Sequence, residues 1–271
     1  MAIDYSLVIK RLQRLEEFYV AYAAATHMPF VTCDEETCND QVWLFATEEA
    51  VQEFCAPYLA QKIPMKGTRV SKESLPEFYM DLHAMGVNEI VFCDGGSQHK
   101  LELSKVVRIP DFNALPENQR PLINPALQLS TAYFFQAIRR PGLAPDSEEM
   151  PDKETLESLA EEMYANLARS KFLMPVQLFP SADGKDRLSL PFITDKQGNN
   201  FQPIFSDHTQ YVKHTKLHKP MDHTKVLLVG IEDLQKHLLT NVKGYMLNPD
   251  GYCHVLNGAQ LQFICREFGN S

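Results

Sequence analysis

Four histidines lie close together in the second half of the chain, at positions 208, 214, 218 and 223. If this segment is helical, His214 and His218 lie on the same side of it, at the spacing with which two imidazoles bind a transition metal. A metal site usually adds a carboxylate or a thiolate at fixed spacing, and the neighbouring sequence offers none. Pro220 and several lysines also interrupt the segment. We therefore predict a solvated loop here, with no metal ligands and no cofactor.

Three polar residues form a second candidate site. Asp207 follows one apolar segment, and Asn248 and Asp250 follow another. If the two segments are strands that end at the same edge of a mixed sheet, the three side chains converge where ligands bind in such sheets. Each residue also has a local role, because Asp207 suits a helix N-cap and the other two suit a tight turn. We take Asp207, Asn248 and Asp250 as candidate binding residues, and we assign no catalytic residue.

The cysteines are weaker candidates for chemistry. Cys33 and Cys38 are separated by four residues rather than two, and no second pair follows at zinc-finger spacing. Cys93 directly precedes an Asp-Gly turn, but we expect a half-buried strand cysteine rather than a nucleophile. The N-terminal residues do not resemble a secretory signal, so we expect reduced thiols and no disulfide.

The sequence also has no Gly-x-Ser-x-Gly elbow, Walker loop or Gly-rich dinucleotide turn.

The amino-acid composition of the chain limits the classes of partner that it can bind. The chain has 271 residues, of which 44% are hydrophobic and 23% are charged, enough for two domains of ordinary size. Its net charge of −9 opposes binding to a phosphate backbone, which depends on clustered Lys and Arg. No run of about 18 apolar residues occurs in the sequence. We expect a soluble, cytoplasmic protein with no nucleic-acid or membrane partner. Its partner is an unidentified protein or small molecule, and homo-oligomerisation is left open.

The elements that must position these residues alternate between strand and helix. In the first half, strands are predicted at 30–33, 41–45, 68–70 and 89–93, with helices over 48–58 and 72–85. An amphipathic helix precedes them, capped by Asp4, with apolar positions that extend from Leu7 to Tyr22. Gly86 is typical of a helix terminator, and Asp94-Gly95 of a hairpin turn.

The middle of the chain contains a helix and a boundary. Asn124-Pro125 is typical of a helix start, and Pro141-Gly142 stops that helix. The segment Leu143 to Pro151 is rich in Pro, Ser and acidic residues, so we place the domain boundary there. The predicted domains are residues 1–142 and residues 152–271.

The second half predicts the same kinds of element. Strands are predicted at 172–178, 188–194, 201–205, 226–229 and 244–247, with helices over 207–213 and 232–240. Asp152 caps a leading helix. Turns are predicted at Asp195 to Asn199, which contains Gly198, and at Asn248-Pro249-Asp250-Gly251. This alternation favours an α+β fold, with mixed sheets flanked by helices, over a helix bundle.

Two patterns occur once in each half, roughly 160 residues apart. The first is Leu44-Phe45-Ala46-Thr47-Glu48, matched by Ile204-Phe205-Ser206-Asp207-His208. The second pattern contains a strand, a helix, a Gly, a further strand and Asp-Gly; it places Gly86 opposite Gly244 and Asp94-Gly95 opposite Asp250-Gly251. A repeat this long predicts two copies of one domain with the same strand order and connectivity.

Three blocks of the second half carry a family resemblance: Phe172 to Val176, Pro203 to Asp207, and Gly244 to Gly251. Together they resemble the SseB family, named for enhanced serine sensitivity. The resemblance extends over Ser170 to Tyr252 and, more loosely, over Phe30 to Gly95, where Phe92-Cys93-Asp94-Gly95 stands in place of the Asn-Pro-Asp-Gly turn. It implies two bacterial SseB-like modules of undefined biochemical role, with no catalytic residues to assign.

The functional expectation is a non-enzymatic binding or interaction protein, because the duplication comes without a catalytic constellation. Two alternatives stay open. An enzyme with its active site in the cleft between the two modules requires a strongly perturbed carboxylate, His or Cys there. A stress or toxin-neutralising interaction protein is compatible with the acidic charge.

Overall fold

The computed structural model describes residues 5–142, 150–179, 187–219 and 222–269. The chain divides into a first unit, Met1–Leu115 with Gln128–Glu157, and a second unit, Pro116–Leu127 with Ser158–Ser271. These bounds differ from the predicted domains, 1–142 and 152–271, because residues 116–127 group with the second unit and the later division falls inside a helix. The predicted cap Asp4 and most of the predicted boundary, residues 143–149, lie outside the described residues.

The first unit is built around one mixed sheet. Its elements are α1 (Ser6–Arg14), β1 (Glu17–Ala23), β2 (Met28–Pro29), β3 (Val31–Cys33), β4 (Asp40–Phe45), α2 (Glu48–Ala60), β5 (Met65–Ser71), α3 (Leu75–Ala84), β6 (Glu89–Asp94), β7 (Ser97–Glu102) and α4 (Leu103–Val106). The strands run in the order β2-β1-β4-β6-β7, with β3 on β4 and β5 on β1. Strands β4 and β6 are parallel, and the other pairs are antiparallel. Val20, Leu44, Ile90 and Phe92 are buried at its centre.

Two longer helices pass from one unit to the other along the chain, α5 (Pro125–Ile138) and α6 (Lys153–Arg169). Helix α5 starts at the predicted Asn124-Pro125. Helix α6 starts after Asp152, whose Oδ1 accepts a hydrogen bond from the Thr155 amide at 2.9 Å, as the predicted cap requires. Within the described residues, no helix has the length and apolar character needed to cross a bilayer.

The second unit divides its strands between two sheets. Its further elements are β8 (Lys171–Phe179), β9 (Arg187–Ser189), β10 (Ile193–Thr194), β11 (Asn200–Ile204), α7 (His208–Leu217), β12 (Thr224–Gly230), α8 (Ile231–Lys236), β13 (Gly244–Leu247), β14 (His254–Leu256) and α9 (Gly258–Phe268). The sheets run β10-β11-β13-β14 and β12-β8-β9, and a bridge between Leu173 and Phe205 links them. Within the described residues, β12 pairs with β8 alone, and Leu227 and Leu228 on it are exposed.

The second unit repeats the element order and strand pairing of the first. Antiparallel β8-β12 corresponds to β1-β5, parallel β11-β13 to β4-β6, and antiparallel β13-β14 to β6-β7. The Leu173-Phe205 bridge corresponds to the pairing of Tyr19 with Phe45. The predicted α+β class is therefore confirmed, and the two halves share the predicted strand order and connectivity.

The strand registers correct two details of the predicted repeat. Gly244 pairs with Phe201 as Glu89 pairs with Gln41, so the counterpart of Gly244 is Glu89 and not Gly86. The same register places Asp94-Gly95 opposite Pro249-Asp250, and not opposite Asp250-Gly251 as predicted. Gly86 follows α3 with φ 88°, in the predicted role of a helix terminator. Gly244 instead begins a strand with φ 152°, and a Cβ there would lie 2.4 Å from the carbonyl oxygen of Leu256.

Other element predictions were wrong in identifiable ways. The first helix ends at Arg14, and the predicted apolar stripe as far as Tyr22 is strand β1. Residues 17–23 include three aromatic side chains and the β-branched Val20, and all seven residues pair with β5. The predicted strand 188–194 is interrupted around Pro191, whose missing amide hydrogen suits a break in a ladder. Strands β7 and β14 and helix α9 were not predicted.

A candidate binding cavity with a His-Asp-His cluster

A candidate binding cavity lies near the point where β11 and β13 end side by side. Because these two strands are parallel, their carboxyl ends lie at one edge of the sheet. After β11 the chain enters α7, and Asp207 caps this helix by accepting from the Gln210 amide at 2.8 Å. After β13 it enters the predicted turn, in which the Gly251 amide donates to the Asn248 carbonyl at 2.9 Å.

Two of the three predicted binding residues meet in a buried network. The Ser206 amide donates to Asn248 Oδ1 at 3.0 Å, and Asn248 Nδ2 donates to Ser206 Oγ at 2.7 Å. The Ser206 hydroxyl then donates to Asp207 Oδ2 at 2.7 Å. Asp207 is 0% exposed and Asn248 is 1% exposed, so neither side chain reaches solvent. Asp207 and Asn248 therefore join the ends of β11 and β13, and a ligand in the cavity does not touch them.

The third predicted residue, Asp250, lies with two histidines instead. Its Oδ2 is 2.5 Å from His214 Nδ1, and its Oδ1 is 3.0 Å from His218 Nε2. His214 lies on α7 and His218 is the residue directly after this helix, and their ring centroids are 4.7 Å apart. This His-Asp-His cluster contradicts the predicted solvated loop, because His214 lies in α7 and a carboxylate from a distant turn reaches both rings.

Electrostatics in the cluster favour the charged carboxylate. Burial alone would raise the pKa of the Asp250 carboxyl, but the hydrogen bonds and charges of His214 and His218 outweigh burial and hold that pKa below its ordinary value. Because a carboxylate can only accept hydrogen bonds, each facing ring nitrogen carries a hydrogen in this arrangement. Asp250 thus orients both imidazoles.

The His-Asp-His cluster forms one end of a cavity of about 470 Å³. Its walls are mainly apolar and include Pro175, Phe192, Pro203 and Met246. Tyr211, Thr215 and Lys219 add polar groups beside the cluster. All of the lining residues belong to the second unit. A cavity with apolar walls and a few convergent polar groups is the usual form of a small-molecule site.

The first unit has aromatic residues at the places of both histidines. Helices α2 and α7 start after equivalent caps, Thr47 and Asp207, so Phe54 is the counterpart of His214 and Tyr58 that of His218. Phe54 packs in an aromatic cluster, with its ring centroid 5.1 Å from that of Trp43 and 5.0 Å from that of Phe45. Tyr58 packs on Phe30 in the same cluster.

The turn after β6 in the first unit also differs from its counterpart. The strand registers place Gly95 opposite Asp250, so the first copy has no carboxylate at that position, and the neighbouring Asp94 accepts a hydrogen bond from Arg11 at 2.8 Å. The His-Asp-His cluster is therefore a property of the second copy alone among the described residues. Comparing the two copies position by position is the sequence observation that could have singled out His214 and His218.

The remaining candidates lie away from the cavity. His208 begins α7 without lining the cavity, and His223 packs its ring on Phe179. Each of the six cysteines, all within the described ranges, is a free thiol. Cys93 is half-buried at the end of β6, as predicted, and burial raises the pKa of its thiol to about 11. That shift works against a nucleophilic role at neutral pH.

Comparison with known proteins gives no family. No family model matches the chain, and no curated protein matches it. Among solved structures, the chain is similar to Tic22 from Plasmodium falciparum, with 12% identity, 96% coverage of both chains and a TM-score of 0.22. It is also similar to Anabaena Tic22, described as a protein-transport protein, with 10% identity, 88% and 87% coverage and a TM-score of 0.22. At these scores neither likeness bears on function, and the SseB resemblance stays a prediction.

Proposed function

We propose that this chain is a binding protein whose second unit holds a small ligand with an apolar body in the cavity beside α7. The observation that carries the proposal is the cavity itself. Its volume of about 470 Å³ lies within the range of roughly 300 to 1,000 Å³ that is usual for ligand sites. The Ser206-Asn248-Asp207 network supports it by fixing the ends of β11 and β13, the strands that contribute Pro203 and Met246 to the cavity lining.

The chemistry of the lining suggests how a ligand lies. Apolar groups of Phe192, Pro203 and Met246 offer contact to the body of the ligand, and their burial supplies most of the affinity. His214 and Lys219 offer hydrogen-bond donors at the other end. A ligand with an apolar ring system and one anionic or hydrogen-bond-accepting end satisfies both parts.

Anilinonaphthalene sulfonate is a suitable probe, because it has this composition. Methyl-labelled methionine NMR reports where it binds, since Met246 lines the cavity and Met85 is buried in the first unit. The dye is expected to shift the Met246 methyl signal and to leave the Met85 signal in place. The Met246 signal is assigned from its absence in M246L.

A matched pair of variants on α7 provides the control. T215W fills the cavity from the helix face that lines it, whereas K216W places the same indole on the exposed side of α7. The shift of Met246 should be lost in T215W and kept in K216W. Dye binding that leaves Met246 unshifted, or that survives T215W unchanged, would contradict the proposed site.

A second candidate function is an enzyme, and one observation favours it. His214 is held by Asp250 inside the cavity, which is how a carboxylate orients an imidazole that acts as general base. The carboxyl group of Asp250, whose pKa lies below its ordinary value, lines this cavity of the second unit. Hydrolysis of p-nitrophenyl acetate that is lost in H214F and kept in H208F would favour the enzyme. Equal rates in both variants would argue against it.

A further inference from the structure

We infer that His214, His218 and Asp250 form a binding site for one divalent transition-metal ion of the zinc class, placed at the polar end of the cavity. One ligand atom from each residue lies within 4.8 Å of the others. This inference goes beyond the proposed ligand cavity and does not depend on it, because the three side chains hold an ion without any organic ligand.

The donor set selects the type of ion. Two imidazoles and one carboxylate suit zinc and the neighbouring first-row metals, whereas calcium and magnesium prefer oxygen ligands. Three protein ligands leave a fourth position of a tetrahedral ion open. Because His214, His218 and Asp250 all line the cavity, an ion among them borders the space where the proposed ligand lies.

The geometry requires only small movements of the side chains. Ligand atoms about 2.0 Å from a tetrahedral zinc ion lie about 3.3 Å apart. The two facing contacts now measure 2.5 Å and 3.0 Å, and the ligand atoms all lie within 4.8 Å of one another, so each separation needs to change by no more than about 1.5 Å. The rings of His214 on α7 and of His218, which directly follows this helix, already lie together, with centroids 4.7 Å apart. An ion thus takes the place of the hydrogens that now link Asp250 to the two rings.

The members of the His-Asp-His cluster differ in exposure, and this difference suits metal binding. The side chains of His214 and Asp250 are 17% and 19% exposed, which limits competition from water. The side chain of His218 is 60% exposed, and this gives an ion a route from solvent. The counterparts Phe54 and Tyr58 in the first unit provide no imidazole, so a single ion is expected for each chain.

The test is a zinc titration of the full chain after removal of metals with a chelator and under reducing conditions. Calorimetry is expected to give one zinc ion per chain. Cobalt(II) added instead should give visible d-d bands without a thiolate charge-transfer band. H214F, H218Y and D250N should each weaken zinc binding by at least the roughly 10- to 100-fold that loss of an outer-shell partner costs.

Matched controls separate the His-Asp-His cluster from other histidines and from misfolding. H208F and H237F alter histidines that do not line the cavity, and zinc affinity should not change. H218Y alters an exposed ring to the residue of the first copy, so its fold should persist, as thermal unfolding without metal will show. Failure of the wild type to bind zinc below millimolar concentrations would overturn the inference. So would a thiolate band with cobalt, or binding kept in H214F and lost in H208F.

Discussion

Substitution of Asn248 tests the buried network that joins the ends of β11 and β13. Asn248 has φ 49°, in the left-handed region, and its side chain forms two hydrogen bonds with Ser206. In N248A the buried Ser206 amide loses its acceptor, which costs about 1 to 3 kcal/mol. Alanine in the left-handed conformation adds about 1 to 2 kcal/mol. N248A should therefore lower the free energy of unfolding by about 2 to 5 kcal/mol.

Glycine at the same position separates the two contributions. N248G also removes the acceptor, but glycine adopts positive φ without strain, so only about 1 to 3 kcal/mol should be lost. The assay is urea unfolding followed by far-UV circular dichroism, with Q197A as a control in an exposed turn of the same unit. The control should lie within about 0.5 kcal/mol of the wild type. Equal losses in N248A and N248G would refute the backbone argument, and losses as small as that of Q197A would refute the network argument.

Three further substitutions or reactions test other parts of the account. G244A should lose about 1 to 3 kcal/mol of unfolding free energy in the same assay, because its Cβ meets backbone of β14; a neutral effect would contradict the close approach. The hydrogen bond from Lys100, and to a smaller extent that from the Thr37 backbone amide, holds the pKa of Asp34 well below its usual range. The stabilisation of the fold by this carboxylate is therefore complete above about pH 4 and is lost as pH falls through the folded-state pKa. The stability difference between wild type and K100Q should accordingly shrink in urea titrations below about pH 4, and a difference that grows there would contradict this. Cys93, with its raised pKa, should react with iodoacetamide more than about tenfold slower than exposed Cys253 by peptide mapping; equal rates would contradict the burial of Cys93.

Much of the fold could be predicted from local patterns. Caps and turns are set by neighbouring residues, so Asp152, Gly198 and the Asn248-Gly251 turn were predicted at their observed places. The first strand was missed because residues 7–22 carry apolar side chains near helical spacing, and only pairing with distant β5 decides in favour of a strand. Pairing between distant segments also fixed the register that separates Gly86 from Gly244.

The candidate site was only partly accessible from the sequence. Convergence of the two strand ends at one edge of a mixed sheet was part of the prediction, but which side chains face solvent depends on the turn after each strand. That geometry buried Asp207 and Asn248 and turned Asp250 toward α7. The carboxylate that contacts His214 belongs to Asp250, 36 positions later in the sequence, and no motif of fixed spacing covers that separation. Only the folded structure, in which parallel β11 and β13 end side by side, brings α7 and the turn after β13 together.

A crystal structure of the full chain soaked with anilinonaphthalene sulfonate tests the central claim most directly. Dye density is expected in the second-unit cavity, with the rings against Pro203 and Met246 and the sulfonate toward His214. No dye is expected at the aromatic cluster around Phe54 in the first unit. Dye density confined to the exposed apolar residues of β12, with the cavity empty, would contradict the claim.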